Sequence, residues 1–441
     1  MVKTKEKVGY AFGGIGHNLI YALFSGYLLI FYTDIFQLSG KFTAMLFLIA
    51  RIFDAINDPI MGMIADKTNS KFGRYKVWLL RAAPVIAGSL ILCFFVPNMD
   101  QKLQYIYVYV TYILLGMSFT AADIPYWTLP SVMTEDANER TSIFSIGSVA
   151  GSLASGIGAV AVPMIVSNAG SHAQGYLLAA IIFAVVGIIG YTVCAFTAKE
   201  RIVTDREKVS FGEMIGLLVK NKPLLIIMAA SLCGNMAFQI KIANNTYYGT
   251  YALGNYDYVT VLSGMLLVGM LAGTVIVPVL VKKFGSKVAM LSALGYGIVI
   301  SVIYYLTGYQ NRILVFIFSA LSAITIGMFT VLVNAMTADT IDYAEWKYGT
   351  RAEGIITSTR TFITKLATAI AGSVAAYALD IIHYVPNVEQ TDSVKQAFHS
   401  FMSIFPAGFY VLGFLILLTY PLTKNRFAEI QAELAERRNH E

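Results

Sequence analysis

Charged residues and cysteines are scarce in this chain. Asp, Glu, Lys and Arg together make up 13% of its 441 residues, against about 25% in typical soluble domains. This composition argues against an ordinary soluble enzyme. The three cysteines, Cys93, Cys194 and Cys233, lie within apolar segments and lack the spacing of metal ligands. We therefore interpret them as packing residues.

Histidines are also few. The five histidines are scattered, and they form neither a His-x-x-x-His motif nor a pair with a nearby acid, which argues against a zinc-dependent enzyme. Only about twenty residues follow the last apolar run, so no soluble signalling domain is expected there. The sequence predicts neither enzyme activity nor a bound cofactor.

Apolar residues dominate the chain, at 57% of the total, and the mean hydropathy is +0.65. These values indicate an integral membrane protein. Twelve apolar runs approach the length needed to cross about 30 Å of hydrocarbon. They fall at about 10–33, 42–65, 77–97, 103–127, 142–167, 176–198, 223–253, 258–281, 286–308, 312–338, 355–380 and 398–421.

The longest polar stretch divides these runs into two sets of six. We predict an N-terminal six-helix bundle (1–198), a cytoplasmic central loop (199–222) and a C-terminal six-helix bundle with a short cytoplasmic tail (223–441). Residues 62–80 and 273–291 share a glycine, a short basic loop with Phe-Gly, and a following helix. The predicted fold class is an all-α membrane protein with twelve transmembrane helices in two pseudo-symmetric bundles.

Lys and Arg are concentrated at one set of loop ends and account for the net charge of +6. The positive-inside rule then predicts that both termini and the central loop are cytoplasmic, in a multi-pass protein of the plasma (inner) membrane. The positive charge is therefore a topology signal, and no nucleic-acid partner is expected. The expected partners are the lipid bilayer and a small molecule.

Three ionisable residues interrupt the second apolar run. Arg51, Asp54 and Asp58 share one helical face, because their offsets are three, four and seven residues. A charge near the bilayer centre costs roughly 2.5 to 3.5 kcal/mol, so such residues usually carry ions, protons or substrates. The two carboxylates repel each other when both are ionised. The pair is therefore a candidate cation or proton site, with simple ion pairing to Arg51 as the structural alternative.

Internal repeats in membrane proteins place substrate and coupling-ion sites near the midplane, between halves that rock around them. The two-fold repetition of this chain therefore favours a transporter. Four long motifs then resemble the glycoside-pentoside-hexuronide:cation symporter family. The motifs are YAFGGIGHNLIYALFSGYLLIFYTDIFQLS, LFLIARIFDAINDPIMGMIADKTNSKFGRYKVWLL, YILLGMSFTAADIPYWTLP and DTIDYAEWKYGTRAEG.

That resemblance implies the major facilitator fold and sugar uptake coupled to Na⁺, Li⁺ or H⁺. The family's cation site uses two Asp and an Asn of the second helix with a Thr of the fourth, and it is matched by Asp54, Asn57, Asp58 and Thr120. Oxygen ligands of this kind suit hard cations. If Na⁺ is the coupling ion, Asp54 and Asp58 are its metal ligands.

The sugar site implied by the resemblance is less well matched. Asn18 stands where the family's best-known member has an Asp on the first helix, and His17 stands in place of a Lys. Gly147 and Thr330 replace an expected arginine and an expected aromatic residue. Asp123 and Trp127 do match, as an acceptor for sugar hydroxyls and a platform under the ring. The other predicted substrate-binding residues are Lys241, Arg360, Thr361 and Lys365.

Loss of an acid at Asn18, with cations at Lys241 and Arg360, favours an anionic substrate such as a hexuronide. Simpler roles remain open. Lys241 could only neutralise Asp123, and Arg360 could snorkel to the membrane surface. Trp127 could be an interfacial anchor at a helix end, and His17 a satisfied interior histidine.

We therefore predict a secondary active transporter that couples uptake of a sugar or glycoside to Na⁺ or H⁺, acting as a monomer by alternating access. The alternatives are an uncoupled facilitator, a transporter-like sensor and a membrane enzyme acting on lipid-linked sugars.

Overall fold

A computed structural model describes residues 2–134, 136–201, 220–349 and 353–440. Within these ranges the chain is helical and contains no strand, which confirms the predicted fold class. The helices are α1 (Thr4–Ile30), α2 (Gly40–Lys67), α3 (Lys76–Cys93), α4 (Gln101–Met133), α5 (Ala137–Ser167), α6 (His172–Thr197), α7 (Lys222–Tyr247), α8 (Asp257–Phe284), α9 (Ser286–Thr307), α10 (Arg312–Tyr348), α11 (Glu353–Ile381), α12 (Asp392–Met402), α13 (Ile404–Leu418) and α14 (Lys424–His440).

Ten segments of the described residues are long and apolar enough to cross a membrane. They include α1 and α7, each prolonged by one π-helical turn, at Phe31–Ile35 and Tyr248–Ala252. α2 and α11 are also long enough, at 28 and 29 residues. Among the residues that the structure describes, their apolar stretches are Gly40–Ala50 and Leu366–Ile381.

Several helices differ from the sequence prediction in their bounds. The fourth helix runs on to Met133 instead of ending near residue 127. The twelfth predicted helix is broken at Ser403, whose φ and ψ of −124° and −82° separate α12 from α13. The short tail contains a further helix, α14, whose Glu433 accepts a hydrogen bond from the indole nitrogen of Trp346 at 2.6 Å.

The chain divides into two compact units. The first comprises Met1–Arg206, Ala376–Ile381 and Val385–Val388, and the second comprises Glu207–Ala375, Ile382–Tyr384 and Glu389–Glu441. Most of the predicted central loop, at 202–219, lies outside the described residues.

Close helix packing in the first unit depends on small residues. α1 packs against α5 and α6, α3 packs against α4 and α6, and α2 packs against α4. A Cβ atom on Gly16 would lie 2.9 Å from the Cα atom of Gly187. Glycine at these two positions therefore lets α1 and α6 approach at backbone distance.

The second unit packs α8 against α10, α7 against α13, and α9 against both α10 and α13. Its buried core includes Met290, Leu294, Leu332 and Met336. The starts of α7 and α10 are capped by the side chains of Asn221 and Asn311, which satisfy backbone N–H groups that a helix start leaves unpaired.

Candidate functional site

The two acids of α2 face α4 in the first unit. The Thr120 hydroxyl donates a hydrogen bond to Asp58 Oδ1 at 3.0 Å. One turn earlier on both helices, a Cβ atom added to Gly116 would lie 3.1 Å from Asp54 Oδ1. The difference in residue number between the two partners is the same at both contacts, so α2 and α4 run parallel here. Glycine at position 116 leaves the space that the Asp54 carboxylate uses.

This arrangement puts three of the four predicted cation ligands along one helix interface. Asp54, Asn57 and Asp58 are half-buried on α2, and Thr120 is buried on α4. Both carboxylates also interact with further groups. The Arg51 side chain, the predicted ion-pair alternative, lies outside the described residues. Partly buried carboxylate oxygens beside a hydroxyl can bind a small hard cation or a proton.

A second acidic position in the same unit pairs with a histidine. Asp123 Oδ1 lies 3.3 Å from His17 Nε2, and both side chains are buried. The other ring nitrogen, Nδ1, is 2.8 Å from the Tyr191 hydroxyl. Asp123 makes an additional interaction as well. His17, on α1, thus contacts both the predicted sugar ligand Asp123 on α4 and Tyr191 on α6.

Aromatic rings surround this pair. The His17 ring stacks on Phe119 at a centroid distance of 4.5 Å and meets Trp127 edge-on at 6.3 Å. Trp127 also contacts Tyr126 edge-on at 5.1 Å. Because α4 continues for six residues beyond Trp127, the expectation that this indole stands at a helix end is wrong. Trp127 instead lies half-buried beside the His17 and Asp123 pair.

Two residues that depart from the family pattern, Asn18 and Gly147, are packed within the first unit. The Asn18 amide donates to the Gly14 carbonyl at 2.9 Å and accepts a hydrogen bond from Ser155 at 3.4 Å. A Cβ atom on Gly147 would collide with Tyr10, which stacks on Tyr126 at 4.5 Å. This stack occupies the space that an arginine at position 147 would need.

Lys241, in the second unit, is fully buried on α7. Its Nζ donates to the Ser322 hydroxyl of α10 at 2.8 Å, and that hydroxyl donates in turn to the Ser319 carbonyl at 3.0 Å. A buried ammonium group is costly when its partner is neutral.

The remaining predicted substrate residues lie on α11. Arg360 is half-buried, and its carbonyl accepts a hydrogen bond from the Thr364 hydroxyl at 3.1 Å. The side chains of Thr361 and Lys365 lie outside the described residues. Thr330, on α10, donates to the Ile326 carbonyl of its own helix at 2.9 Å.

Sequence reasoning missed Tyr191 and Phe119 as neighbours of His17. Neither residue belongs to a spacing pattern that includes His17. Tyr191 is 174 positions away along the chain, and only the folding of α6 against α1 brings it into contact. The resemblance to known sequences could not supply it either, because the matching motifs do not include α6.

Comparison with known proteins agrees with this architecture. The sequence model of the MFS/sugar transport protein family matches residues 9–424. An uncharacterized symporter of Bacillus subtilis (strain 168) is 30% identical over 99% of this chain and 96% of its own length. A glucuronide carrier protein homolog of Escherichia coli (strain K12) is 27% identical over 98% and 95%. An isoprimeverose transporter of Lactiplantibacillus pentosus is 30% identical over 96% and 90%.

Solved structures agree on the fold. A D-xylose-proton symporter superposes with a TM-score of 0.67 at 14% sequence identity, covering 95% of this chain and 98% of that one. Together with the family match over most of the sequence, this confirms the predicted major facilitator fold and a membrane transporter, not an enzyme. The chain belongs to the MFS/sugar transport protein family.

Proposed function

We propose that this protein is a symporter that couples uptake of an acidic sugar or glycoside to Na⁺ or H⁺. The observation that carries the coupling is the position of Asp54 and Asp58 against α4, with the Thr120 hydroxyl 3.0 Å from Asp58 Oδ1. Asn57, half-buried on the same helix, would supply a further oxygen. The protein acts as a monomer in the plasma membrane, with both termini cytoplasmic.

The mechanism follows from the repulsion between the two carboxylates. A cation bound at Asp54 and Asp58 removes that repulsion and holds α2 against α4. α4 also carries Asp123 and Trp127, so ordering this interface orders the proposed sugar-binding side chains. Ion and sugar then strengthen each other's binding by the same factor, as linkage requires. Alternating access of the two halves would move both solutes across the membrane.

The preference for an acidic sugar is supported by charge. Lys241 is fully buried with a hydroxyl partner, and Arg360 is half-buried on α11. A carboxylate on the substrate would compensate these charges in a medium of low dielectric constant. A relative named as a glucuronide carrier homolog agrees with an acidic substrate, whereas one named as an isoprimeverose transporter suggests a neutral glycoside.

Uptake into proteoliposomes distinguishes these substrates. Methyl β-D-glucuronide and methyl β-D-glucoside differ only at the carboxylate, so they form a matched pair. We expect the glucuronide to be taken up faster, with stimulation by an inward Na⁺ or H⁺ gradient. Equal uptake of the two glycosides would refute the acidic preference. Uptake that responds to neither gradient would identify an uncoupled facilitator.

A further inference from the structure

The start of α2, on the predicted outer side of the membrane, is capped by a carboxylate from the end of α11. Asp380 Oδ1 accepts a hydrogen bond from the Gly40 backbone N–H at 3.1 Å, and Oδ2 accepts one from the Lys41 N–H at 2.7 Å. The first N–H groups of a helix have no partner within that helix, and they attract negative charge. Asp380 thus satisfies two of them from 340 positions away along the chain.

Glycine at position 40 allows this close approach. A Cβ atom on Gly40 would lie 2.5 Å from the Ala376 carbonyl oxygen and 2.8 Å from Asp380 Oδ1. The carbonyl belongs to the backbone of α11, so it cannot turn aside as the end of a flexible side chain can. Any larger residue at position 40 would therefore push the start of α2 and the end of α11 apart.

A second hydrogen bond joins the chain segments next to these helix ends. The amide of Asn387, in the loop between α11 and α12, donates to the carbonyl of Asp34 at 2.6 Å. Asp34 lies in the π-helical turn that follows α1. These two residues belong to the first unit, as do Gly40 and Asp380. Two contacts that are distant in sequence thus join the same two parts of the chain.

Unfavourable backbone conformations are concentrated at this junction. Among the described residues, Gln37, His383 and Asn387 are the non-glycine residues with a left-handed backbone, with φ of 56°, 57° and 59°. All three lie in the loops that the junction joins, 36–39 and 382–391. Such conformations persist only where the surrounding contacts impose them. Relief of this strain would offset part of the cost of opening the junction.

The loop after α11 is packed more firmly in the second unit. The ring of Tyr384 meets those of Tyr247, Tyr251 and Phe398 at centroid distances of 5.4, 5.2 and 5.8 Å, and these four residues belong to the second unit. Water does not replace aromatic packing, but it replaces the partners of exposed backbone N–H groups at low cost. A pull on this loop would therefore open the hydrogen bonds first.

We propose that Asp380 and Asn387 form an outer latch, which holds the start of α2 against the end of α11 and opens once in each transport cycle. The inference rests on the alternating access proposed above, and it requires neither a particular sugar nor a particular coupling ion. α11 begins in the second unit, and its last residues, Ala376–Ile381, belong to the first. When the two halves rock against each other, either the latch opens or α11 bends.

Labelling of a buried cysteine measures the opening without any substrate. Thr43 is fully buried and lies three residues after Gly40, on the same face of α2. A background that lacks the three native cysteines carries Thr43→Cys, and intact cells expressing the full-length protein are treated with a membrane-impermeant maleimide. We expect Asp380→Asn to raise the labelling rate about tenfold, because the amide replaces one acceptor oxygen with a donor.

Asp100→Asn is the matched control for Asp380→Asn. Asp100 also caps a helix on the predicted outer side, but it does so within its own helix, by accepting a hydrogen bond from the Leu103 N–H at 3.2 Å. We expect this substitution to leave the labelling rate unchanged. Gly40→Ala is expected to raise the rate, since its Cβ atom separates the two helix ends.

A purely structural role for Asp380 predicts a different result. If its carboxylate only stabilises α2, folded Asp380→Asn unfolds at a lower temperature but labels at the wild-type rate. Equal labelling rates in Asp380→Asn and Asp100→Asn would overturn the latch. Wild-type labelling in folded Gly40→Ala would contradict it independently.

A reversible cross-link tests whether the latch must open. Lys41→Cys and Asp380→Cys are combined in the same background and joined by a short bifunctional methanethiosulfonate. We expect the cross-link to form, to arrest uptake of methyl β-D-glucuronide and to release it on reduction, whereas neither single variant responds. Failure to cross-link contradicts the contact. Undiminished uptake by cross-linked protein refutes the latch, and would indicate that α11 bends, for which Gly372 and Ser373 offer a position. If reduced protein takes up no glucuronide, the proposed substrate is wrong, and the labelling result decides on the latch.

Discussion

The Thr120 hydroxyl donates a hydrogen bond to Asp58 Oδ1 at 3.0 Å, across 62 positions of sequence. This contact fixes the register of α2 against α4 where two acids would otherwise repel each other. It also puts a neutral oxygen beside a carboxylate, as a site for a small hard cation requires. The properties of this interface can be tested one residue at a time.

Replacing Thr120 by Val removes the hydroxyl and keeps a similar side-chain shape. We expect the apparent affinity for the coupling cation to fall about tenfold, since one oxygen ligand near Asp58 is lost, equivalent to about 1.4 kcal/mol. The measurement is the cation concentration that gives half-maximal sugar uptake. Thr128→Val is the matched control, because that hydroxyl donates to the Ile124 carbonyl of its own helix at 2.8 Å. Equal effects of the two substitutions would contradict a ligand role for Thr120.

Gly116→Ala tests the space beside Asp54. The new Cβ atom would lie 3.1 Å from Asp54 Oδ1, a tight contact that forces the carboxylate or the helix to shift. We expect cation stimulation of uptake to weaken about tenfold while the protein still folds. Gly88→Ala serves as the control, because no atom of the described residues lies within 4 Å of its added Cβ. If cation stimulation of uptake is unchanged in Gly116→Ala, the role of Asp54 does not require the space beside Gly116.

The sequence was sufficient to predict the acid pair and its helical face, because a spacing of four residues fixes which side chains of one helix lie together. The contact between His17 and Asp123 and that between Lys241 and Ser322 join helices far apart in the chain. No local pattern specifies such pairs. The break at Ser403 was missed for a related reason, since α12 and α13 together form one candidate membrane span, Asp392–Leu418.

Lys241→Ala tests the charge argument for substrate selection. The substitution removes a fully buried amine. If this amine binds the substrate carboxylate as an ammonium, the affinity for methyl β-D-glucuronide falls at least about tenfold and that for methyl β-D-glucoside changes little. Ser322→Ala is the companion variant, since it keeps the charge and removes the hydroxyl that accepts the hydrogen bond from Nζ. Equal losses for the two glycosides in Lys241→Ala would refute the proposed selectivity.

Glu139 makes folding stability depend on pH. The Val2 backbone N–H donates to its two carboxylate oxygens at 3.0 and 3.2 Å, and the Thr134 hydroxyl donates to one of them at 2.9 Å. These hydrogen bonds, the Val2 contact foremost, lower the pKa of Glu139 from its ordinary value. A lowered folded-state pKa gives stability that is present above the unfolded-state pKa and is lost as the pH falls through the folded-state pKa.

We therefore expect wild type to unfold at a higher temperature than Glu139→Gln near neutral pH, with the difference shrinking below about pH 4. Thermal unfolding of the purified protein over a pH series measures this. Glu429→Gln is the control, because Glu429 pairs with Arg426 on the exposed surface of α14. A difference between wild type and Glu139→Gln that stays constant as the solution is acidified would contradict the assignment.

Uphill accumulation tests the coupling site most directly. Proteoliposomes loaded with wild type are given an inward Na⁺ gradient or an inward H⁺ gradient, and internal methyl β-D-glucuronide is compared with the external concentration. Wild type is predicted to concentrate the sugar under at least one gradient, as is Asp257→Cys at an exposed position on α8. Asp58→Cys is predicted to remain folded and to equilibrate the sugar without concentrating it. Accumulation by Asp58→Cys equal to that of wild type would contradict the proposed coupling site.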